Sequence, residues 1–144
     1  MNRRHAIGTM GAASLAGLAA KVQAQGATAA AAPAKNYSAL QASAAACVVK
    51  GQTCLAHCIR FLSMGDKSMA ECAKALNQML ALCGALQSIA AQGSTLTPSL
   101  AKVALEACTQ CANACKPHIE HHEVCNACYE SCIECIKHCK AVAA

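Results

Sequence analysis

The sequence is poor in the large side chains that usually build a protein core. Its 144 residues include no Trp, one Phe and two Tyr. Because large apolar side chains supply most of the area whose burial stabilises a fold, these counts exclude a conventional aromatic core. The length leaves room for one domain. Other residues must therefore fill the interior of that domain.

Long apolar runs, blocks of charge and catalytic motifs are missing as well. Beyond the first 24 residues, no segment has the ~20 consecutive apolar residues that cross a bilayer. Beyond residue 25, nine Lys and Arg face seven Asp and Glu without a basic block, so neither nucleic acid nor an anionic membrane is an expected partner. No Ser/His/Asp constellation, phosphate-binding loop or carboxylate pair stands out. We therefore do not expect an enzyme.

The first residues have the pattern of an export signal. Two arginines near the start precede a weakly apolar stretch over 6–20, and Ala24 completes a small-residue cleavage pattern. Paired arginines before a stretch rich in Gly and Ala are typical of a twin-arginine signal. We predict a signal peptide over 1–24, export to the periplasm or another extracytoplasmic space, and a flexible segment over 25–35.

Turn-forming residues divide the rest of the chain into four segments of helical composition. Gly65 is a natural residue to follow a helix C-terminus, and Asp66 is a good N-cap. Thr97-Pro98 combines a capping residue with proline at the first helical position. The segments run from about Ser38 to Ser63, from near Asp66 to before Gly93, from Thr97 to Lys116-Pro117, and from about Glu120 to Val142. Because the connections are short, we predict an all-α domain over 36–144, an antiparallel up-down four-helix bundle.

Thirteen cysteines are distributed over these four segments. Within a segment they are three, four, seven or eleven residues apart, the spacings that return a side chain to the same helix face. At ~100° per residue, those of the fourth segment fall within an arc of roughly 80°. Each helix therefore presents one cysteine face, and we predict that the four faces line the core. The cysteines are Cys47, Cys54, Cys58, Cys72, Cys83, Cys108, Cys111, Cys115, Cys125, Cys128, Cys132, Cys135 and Cys139.

Two explanations without metal compete for these cysteines. Free cysteine packs as a small hydrophobe, which suits a single residue such as Cys83 but not 13 on matched faces. A disulfide scaffold is the usual expectation for an exported cysteine-rich chain. Cβ atoms three or four residues apart on a helix are ~5–6 Å apart, whereas a disulfide needs ~3.5–4.5 Å. Disulfides within a helix are thus excluded, while disulfides between helices, in a structural helical protein, stay open.

Metal binding is the explanation that the spacing favours. Thiolates select Cu(I), Zn(II) or iron–sulfur clusters. Zinc needs four ligands, and iron–sulfur motifs lie on loops, whereas a long helix supplies only two adjacent ligands to one site. Cu(I) accepts two or three sulfurs, and one Cu⁺ for each thiolate leaves the core uncharged. We therefore predict multiple Cu(I) ions bound by all 13 cysteines.

The chain resembles the four-helix-bundle copper storage proteins of methane-oxidising bacteria. The resemblance implies copper storage, a homotetramer and an exported form with a twin-arginine leader. A copper donor or acceptor is a further expected partner. It also implies copper ligands at one end of the bundle, where His57, Met64 and Met69 match and a further methionine of the pattern is Phe61 here. The resemblance covers roughly residues 37–144 and rests on CLAHC at 54–58, MGDKSM at 64–69 followed by Cys72, LCGAL at 82–86, the Cys108, Cys111 and Cys115 spacing, and the five-cysteine segment ending at Cys139.

The up-down topology brings the first–second and third–fourth turns to one end of the bundle. The first of these turns holds Met64 and Met69, with His57 one or two helical turns inside, and the other brings a group of three further histidines. We call this the histidine-rich end and predict that copper enters and leaves there. The opposite end is fringed by apolar residues without a soft ligand. The three further histidines are His118, His121 and His122.

Overall fold

The structure, a computed structural model, describes residues 35–143, which form the predicted four-helix bundle. Each helix packs against the next one along the chain, and the first packs against the fourth, so that the four surround one core. No helix in this range is long and apolar enough to cross a membrane. The predicted signal peptide over 1–24 lies outside the described residues, as does the flexible segment over 25–35 apart from its last residue. The helices are α1 (Ser38–Ser63), α2 (Ala70–Ala91), α3 (Thr97–Cys115) and α4 (Glu123–Ala143).

Glycine ends both α1 and α2 for the same conformational reason. Gly65 and Gly93 have φ angles of 86° and 61°, which glycine adopts without a steric penalty. After α1, the N–H of Asp66 donates to the carbonyl oxygen of Phe61 at 3.1 Å, so the chain turns while the last carbonyls stay bonded. The Asp66 carboxylate then accepts from the N–H of Ser68 at 2.9 Å, as expected of a capping residue.

Three predicted helix starts need correction. The second helix begins at Ala70 rather than near Asp66, because Asp66 caps a short 3₁₀ turn, Lys67–Met69, that precedes it. Thr97 does not cap α3: it is the first helical residue, Pro98 is the second, and the preceding Leu96 makes no side-chain cap. The Thr97 hydroxyl is fully buried and donates instead to the carbonyl oxygen of Ile89 in α2, at 3.4 Å. The fourth helix begins at Glu123, three residues later than predicted. The residues after α3 first form a short 3₁₀ turn, Lys116–His118.

Cysteine and alanine occupy most of the core. All 13 cysteines have no exposed surface. The large aliphatic side chains that are fully buried are few, and one of them, Met79, packs against Gly51 of α1. A Cβ atom at Gly51 would lie 2.6 Å from the Met79 Cε atom, so glycine permits the close approach of α1 and α2 there. These large buried side chains are Leu40, Met69, Leu76, Met79 and Leu86.

Candidate metal centre

Sulfur atoms from different helices meet across the core. Because each helix turns its cysteine face inward, thiols that are far apart in the sequence lie at van der Waals or hydrogen-bonding distance. One close pair lies within a single helix, Cys135 and Cys139 of α4, at 3.9 Å. The close pairs between helices are Cys83–Cys108 at 3.4 Å, Cys72–Cys115 at 3.5 Å, Cys54–Cys125 at 3.6 Å and Cys111–Cys128 at 4.0 Å.

The thiols form four groups in which all sulfur atoms lie within 4.8 Å of one another. Three groups have three members. The fourth has four members, and each comes from a different helix. Two of the groups of three take two adjacent ligands from one helix, as the sequence predicts, whereas the other two groups take each ligand from a different helix. The groups are Cys54/Cys58/Cys72, Cys54/Cys115/Cys128, Cys111/Cys128/Cys132 and Cys47/Cys83/Cys108/Cys135.

The groups connect into one continuous set of thiols. Cys54 belongs to the first two groups and Cys128 to the second and third. The third group is linked electrostatically to the group of four, because Cys132 is one of the thiols that lower the pKa of Cys47. The two cysteines outside the groups, Cys125 and Cys139, contact members of them at 3.6 Å and 3.9 Å. A soft metal ion can thus exchange sulfur ligands stepwise along most of the bundle.

The disulfide alternative finds no support in this geometry. All 13 cysteines, which lie within the described residues, are free. The shortest sulfur–sulfur distance among the hydrogen-bonded pairs is 3.4 Å, between Cys83 and Cys108, whereas a disulfide bond measures about 2.05 Å. Buried and free, the thiols are available as ligands.

Hydrogen bonds among the thiols set their protonation. The hydrogen bond with Cys135, followed by burial, raises the pKa of Cys139 above its ordinary range, so this thiol holds its proton. At Cys47 the hydrogen bond with Cys108, followed by that with Cys132, lowers the pKa to about 5. The hydrogen bond with Cys135 and burial act in the opposite direction, and the thiol form donates to the carbonyl oxygen of Ser131 at 3.1 Å. Burial alone, which raises thiol pKa values, therefore does not describe Cys47.

The histidine-rich end brings together side chains from α1 and the start of α4. His57 Nε2 lies 3.0 Å from His122 Nδ1, and the Phe61 ring packs against both imidazoles, with centroid distances of 4.7 Å and 5.1 Å. The two predicted methionine ligands are separated by depth. Met64 is 64% exposed, whereas Met69 is 1% exposed.

Burial, followed by electrostatic interactions with His122 and Arg60, lowers the pKa of His57. The imidazole is therefore neutral at pH 7, and a neutral imidazole has a lone pair for a metal. The charge of Cys72 acts in the opposite sense and raises the pKa of His57. The imidazole is therefore within electrostatic reach of this core thiol.

Comparison with known families accounts for this combination of bundle and thiols. A sequence model described as copper storage protein matches residues 33–144. The chain belongs to the copper storage protein family. A search of curated proteins found no significant match. The match spans all four helices, and copper storage explains why the core of this domain is built of thiols rather than of large apolar side chains.

The sequence pattern placed His122 of this copper storage protein at the histidine-rich end but did not show that it meets His57. Its contact with His57 depends on how the α3–α4 turn folds back over the end of α1, which residue spacing does not reveal. The neighbouring His121 is exposed, while His118 is partly buried, with its ring centroid 6.2 Å from that of His122. The only available signal was the cluster of histidines in one turn of the sequence.

The opposite end of the copper storage domain differs slightly from the expectation. Apolar residues such as Leu40 and Val142 line it, as predicted, but His138 lies beside them in the same pocket. This imidazole bonds to the Glu134 carboxylate at 2.9 Å on the surface of α4. A soft ligand is therefore present near that end, although it is bonded to a carboxylate rather than to the thiols.

Proposed function

We propose that the protein stores copper as Cu(I), with on the order of one ion for each of its 13 cysteines. The observation that supports the proposal is that every thiol is buried, free and connected to others. Thiolates buried without compensation would be unstable in a low-dielectric core. One monovalent ion for each thiolate removes that charge, whereas divalent ions at four thiolates each would leave the core negative. The role is storage rather than catalysis.

The geometry of the groups of three supports this oxidation state. With metal–sulfur bonds of about 2.3 Å, three sulfurs around one ion lie about 4 Å apart. The sulfur atoms of Cys54, Cys58 and Cys72 lie within 4.8 Å of one another, so small side-chain movements bring them to bonding distance. Zn(II) at such a site would lack its fourth ligand, while Cu(I) is satisfied by three.

Anaerobic titration of the reduced protein with Cu(I), followed by metal and protein analysis, tests the proposal. We expect saturation near 13 ions per chain, one for each cysteine. A matched sample with alkylated thiols should bind almost none. Saturation at about four ions or fewer would refute storage and indicate a structural or regulatory site. A free-thiol count near 13 on metal-free protein purified without reductant, rather than near zero, excludes the disulfide alternative.

Copper enters and leaves at the histidine-rich end. Met64 is exposed there and meets incoming ions first, the His57–His122 pair lies deeper, and Met69 is buried. Thioether and neutral imidazole bind Cu(I) without losing a proton, so they can take up an ion and release it again. The thiolate of Cys72 lies in the first group inside. This order of ligands suits transfer from a copper donor or to an acceptor.

Export and assembly complete the proposal. Residues 1–24 act as a twin-arginine signal that directs the protein to the periplasm or another extracytoplasmic space, where it forms a homotetramer. The arginine pair and the cleavage pattern at Ala24 support export. Exposed apolar side chains on the helix surfaces, including Val103 and Ile133, support association. Mass spectrometry of the secreted N-terminus and light scattering of the purified protein test the two parts; a retained leader or a monomer would refute them.

A further inference from the structure

One thiol group differs from the other three in its ligand number and in the helices that supply it. Cys47, Cys83, Cys108 and Cys135 come from α1, α2, α3 and α4, one from each, and their sulfur atoms all lie within 4.8 Å of one another. All four side chains are completely buried. We call them the four-helix thiol group. Each of the other groups has three members and leaves at least one helix without a ligand.

The size of this group matches a tetrahedral metal site. Zn–S bonds of about 2.3 Å place the sulfurs of a tetrahedral site about 3.8 Å apart. Cys83 and Cys108 are 3.4 Å apart, and no pair in the group exceeds 4.8 Å. Each sulfur therefore needs to move by less than about 1 Å. For Cys47 the movement means that its sulfur gives up the hydrogen bond to the carbonyl oxygen of Ser131, 3.1 Å away. That oxygen still accepts a backbone hydrogen bond within α4, so it is not left without a donor.

We propose that, in the copper-free protein, the four-helix thiol group binds a single Zn(II) ion that links all four helices. The ion binds four thiolates, so those of the four thiols that are still protonated lose their protons, and the product carries two negative charges. A neighbouring thiol offsets part of this charge, since Cys139 lies 3.9 Å from Cys135. It is positioned to donate an S–H hydrogen bond to the zinc thiolate of Cys135, as outer groups do at structural metal sites.

Ligand number explains why zinc would bind once rather than throughout the core. A closed structural zinc site needs four protein ligands, and among the described residues the four-helix thiol group is the one that supplies them. The groups of three have no buried carboxylate or imidazole to complete them, and no fourth thiol of the described residues lies within 4.8 Å of all three members of any of them. They suit Cu(I), which accepts three sulfurs. The inference concerns the protein before copper arrives and does not depend on the number of copper ions stored.

Cobalt substitution tests the site, because tetrahedral thiolate-bound Co(II) has characteristic visible d–d bands. Reduced, metal-free protein is titrated with Co(II) and then with Zn(II). We expect tetrathiolate bands that saturate at one Co(II) per chain and disappear with one Zn(II). Cys83→Ser removes one ligand of the four-helix thiol group and should abolish these bands. Cys58→Ser, which removes a ligand from a group of three, is the matched control and should keep them.

Melting curves and copper titrations of the same proteins complete the test. Zn(II) should raise the melting temperature of the wild type and of Cys58→Ser but not of Cys83→Ser, and Cys108→Ser provides an independent second variant if Cys83→Ser folds poorly. Absence of tetrathiolate bands in the wild type would overturn the inference. Bands that persist in both Cys83→Ser and Cys108→Ser would also overturn it, and so would bands that vanish in Cys58→Ser. A wild type that binds many Cu(I) ions but shows no bands refutes the zinc site alone. A wild type with the bands but few Cu(I) ions refutes storage alone.

Discussion

The shortage of large apolar side chains predicts a copper-free bundle of low stability. Leu76 is one of the few large aliphatic residues that are fully buried, and truncating such a leucine to alanine costs about 3 kcal/mol. In a domain of this size, 1 kcal/mol corresponds to about 4 °C of melting temperature. We therefore expect Leu76→Ala to lower the melting temperature of the copper-free protein by about 12 °C.

Copper should reverse this loss. A ligand that binds only the folded state stabilises it by about 4 kcal/mol at a thousandfold excess over its Kd, and several such sites add. The loaded protein should therefore melt tens of degrees above the copper-free protein. Because the gain depends on the thiols rather than on Leu76, the loaded Leu76→Ala variant should melt above the copper-free wild type.

Thermal melting, monitored by circular dichroism under anaerobic conditions, gives the melting temperatures of the wild type and of Leu76→Ala, each in the copper-free and the loaded form. Val49→Ala is a matched control in α1, since Val49 is 61% exposed and surface substitutions change stability by about 0.5 kcal/mol or less. Equal melting temperatures of the copper-free and loaded forms would refute the reasoning. An unchanged copper-free melting temperature in Leu76→Ala would show that the aliphatic residues do not limit stability.

Two further predictions concern protons and entry. At Cys139 the hydrogen bond with Cys135 and burial raise the pKa, so a bound ion displaces a proton from this thiol near neutral pH. The apparent copper affinity should therefore rise with pH. Calorimetry in buffers of different ionisation enthalpy should detect the released protons. Replacing His57, Met64 and Met69 together by leucine should slow copper loading and removal about tenfold, which corresponds to about 1.4 kcal/mol in the barrier. The number of ions bound at saturation should stay nearly unchanged. Stopped-flow transfer of Cu(I) from a chelator and to a chelator measures the two rates.

Each of these predictions can fail clearly. Absence of proton release near pH 7 would show that the core thiols are already ionised before copper binds. For entry, His138→Leu changes a partly buried imidazole near the opposite end and should leave the rates unchanged. If this control slows transfer while the triple variant does not, copper passes through the end of the bundle lined by Leu40 and Val142.

Helix periodicity is a local property, and it made much of this protein predictable. The ends of α1 followed from Ser38 and Gly65, and the common cysteine face of each helix followed from spacing alone, because 3.6 residues per turn determine which side chains share a face. A core of thiols and the chemistry of soft metal ions follow from those faces. The helix starts at Thr97 and Glu123 were less predictable, because a buried hydroxyl and a 3₁₀ turn depend on neighbouring helices.

Which thiols lie at the same level was decided by the tertiary structure. Spacing places Cys47 on the inner face of α1 but does not say that it meets one cysteine from each of the other three helices. That level depends on how far each helix is shifted along its neighbours, which the turns and close contacts such as Gly51 against Met79 set. For the same reason spacing could not show that His57 meets His122. Residue type and periodicity thus determined the ligands, and the relative shift of the helices determined the sites, because ligand geometry is a property of several helices together.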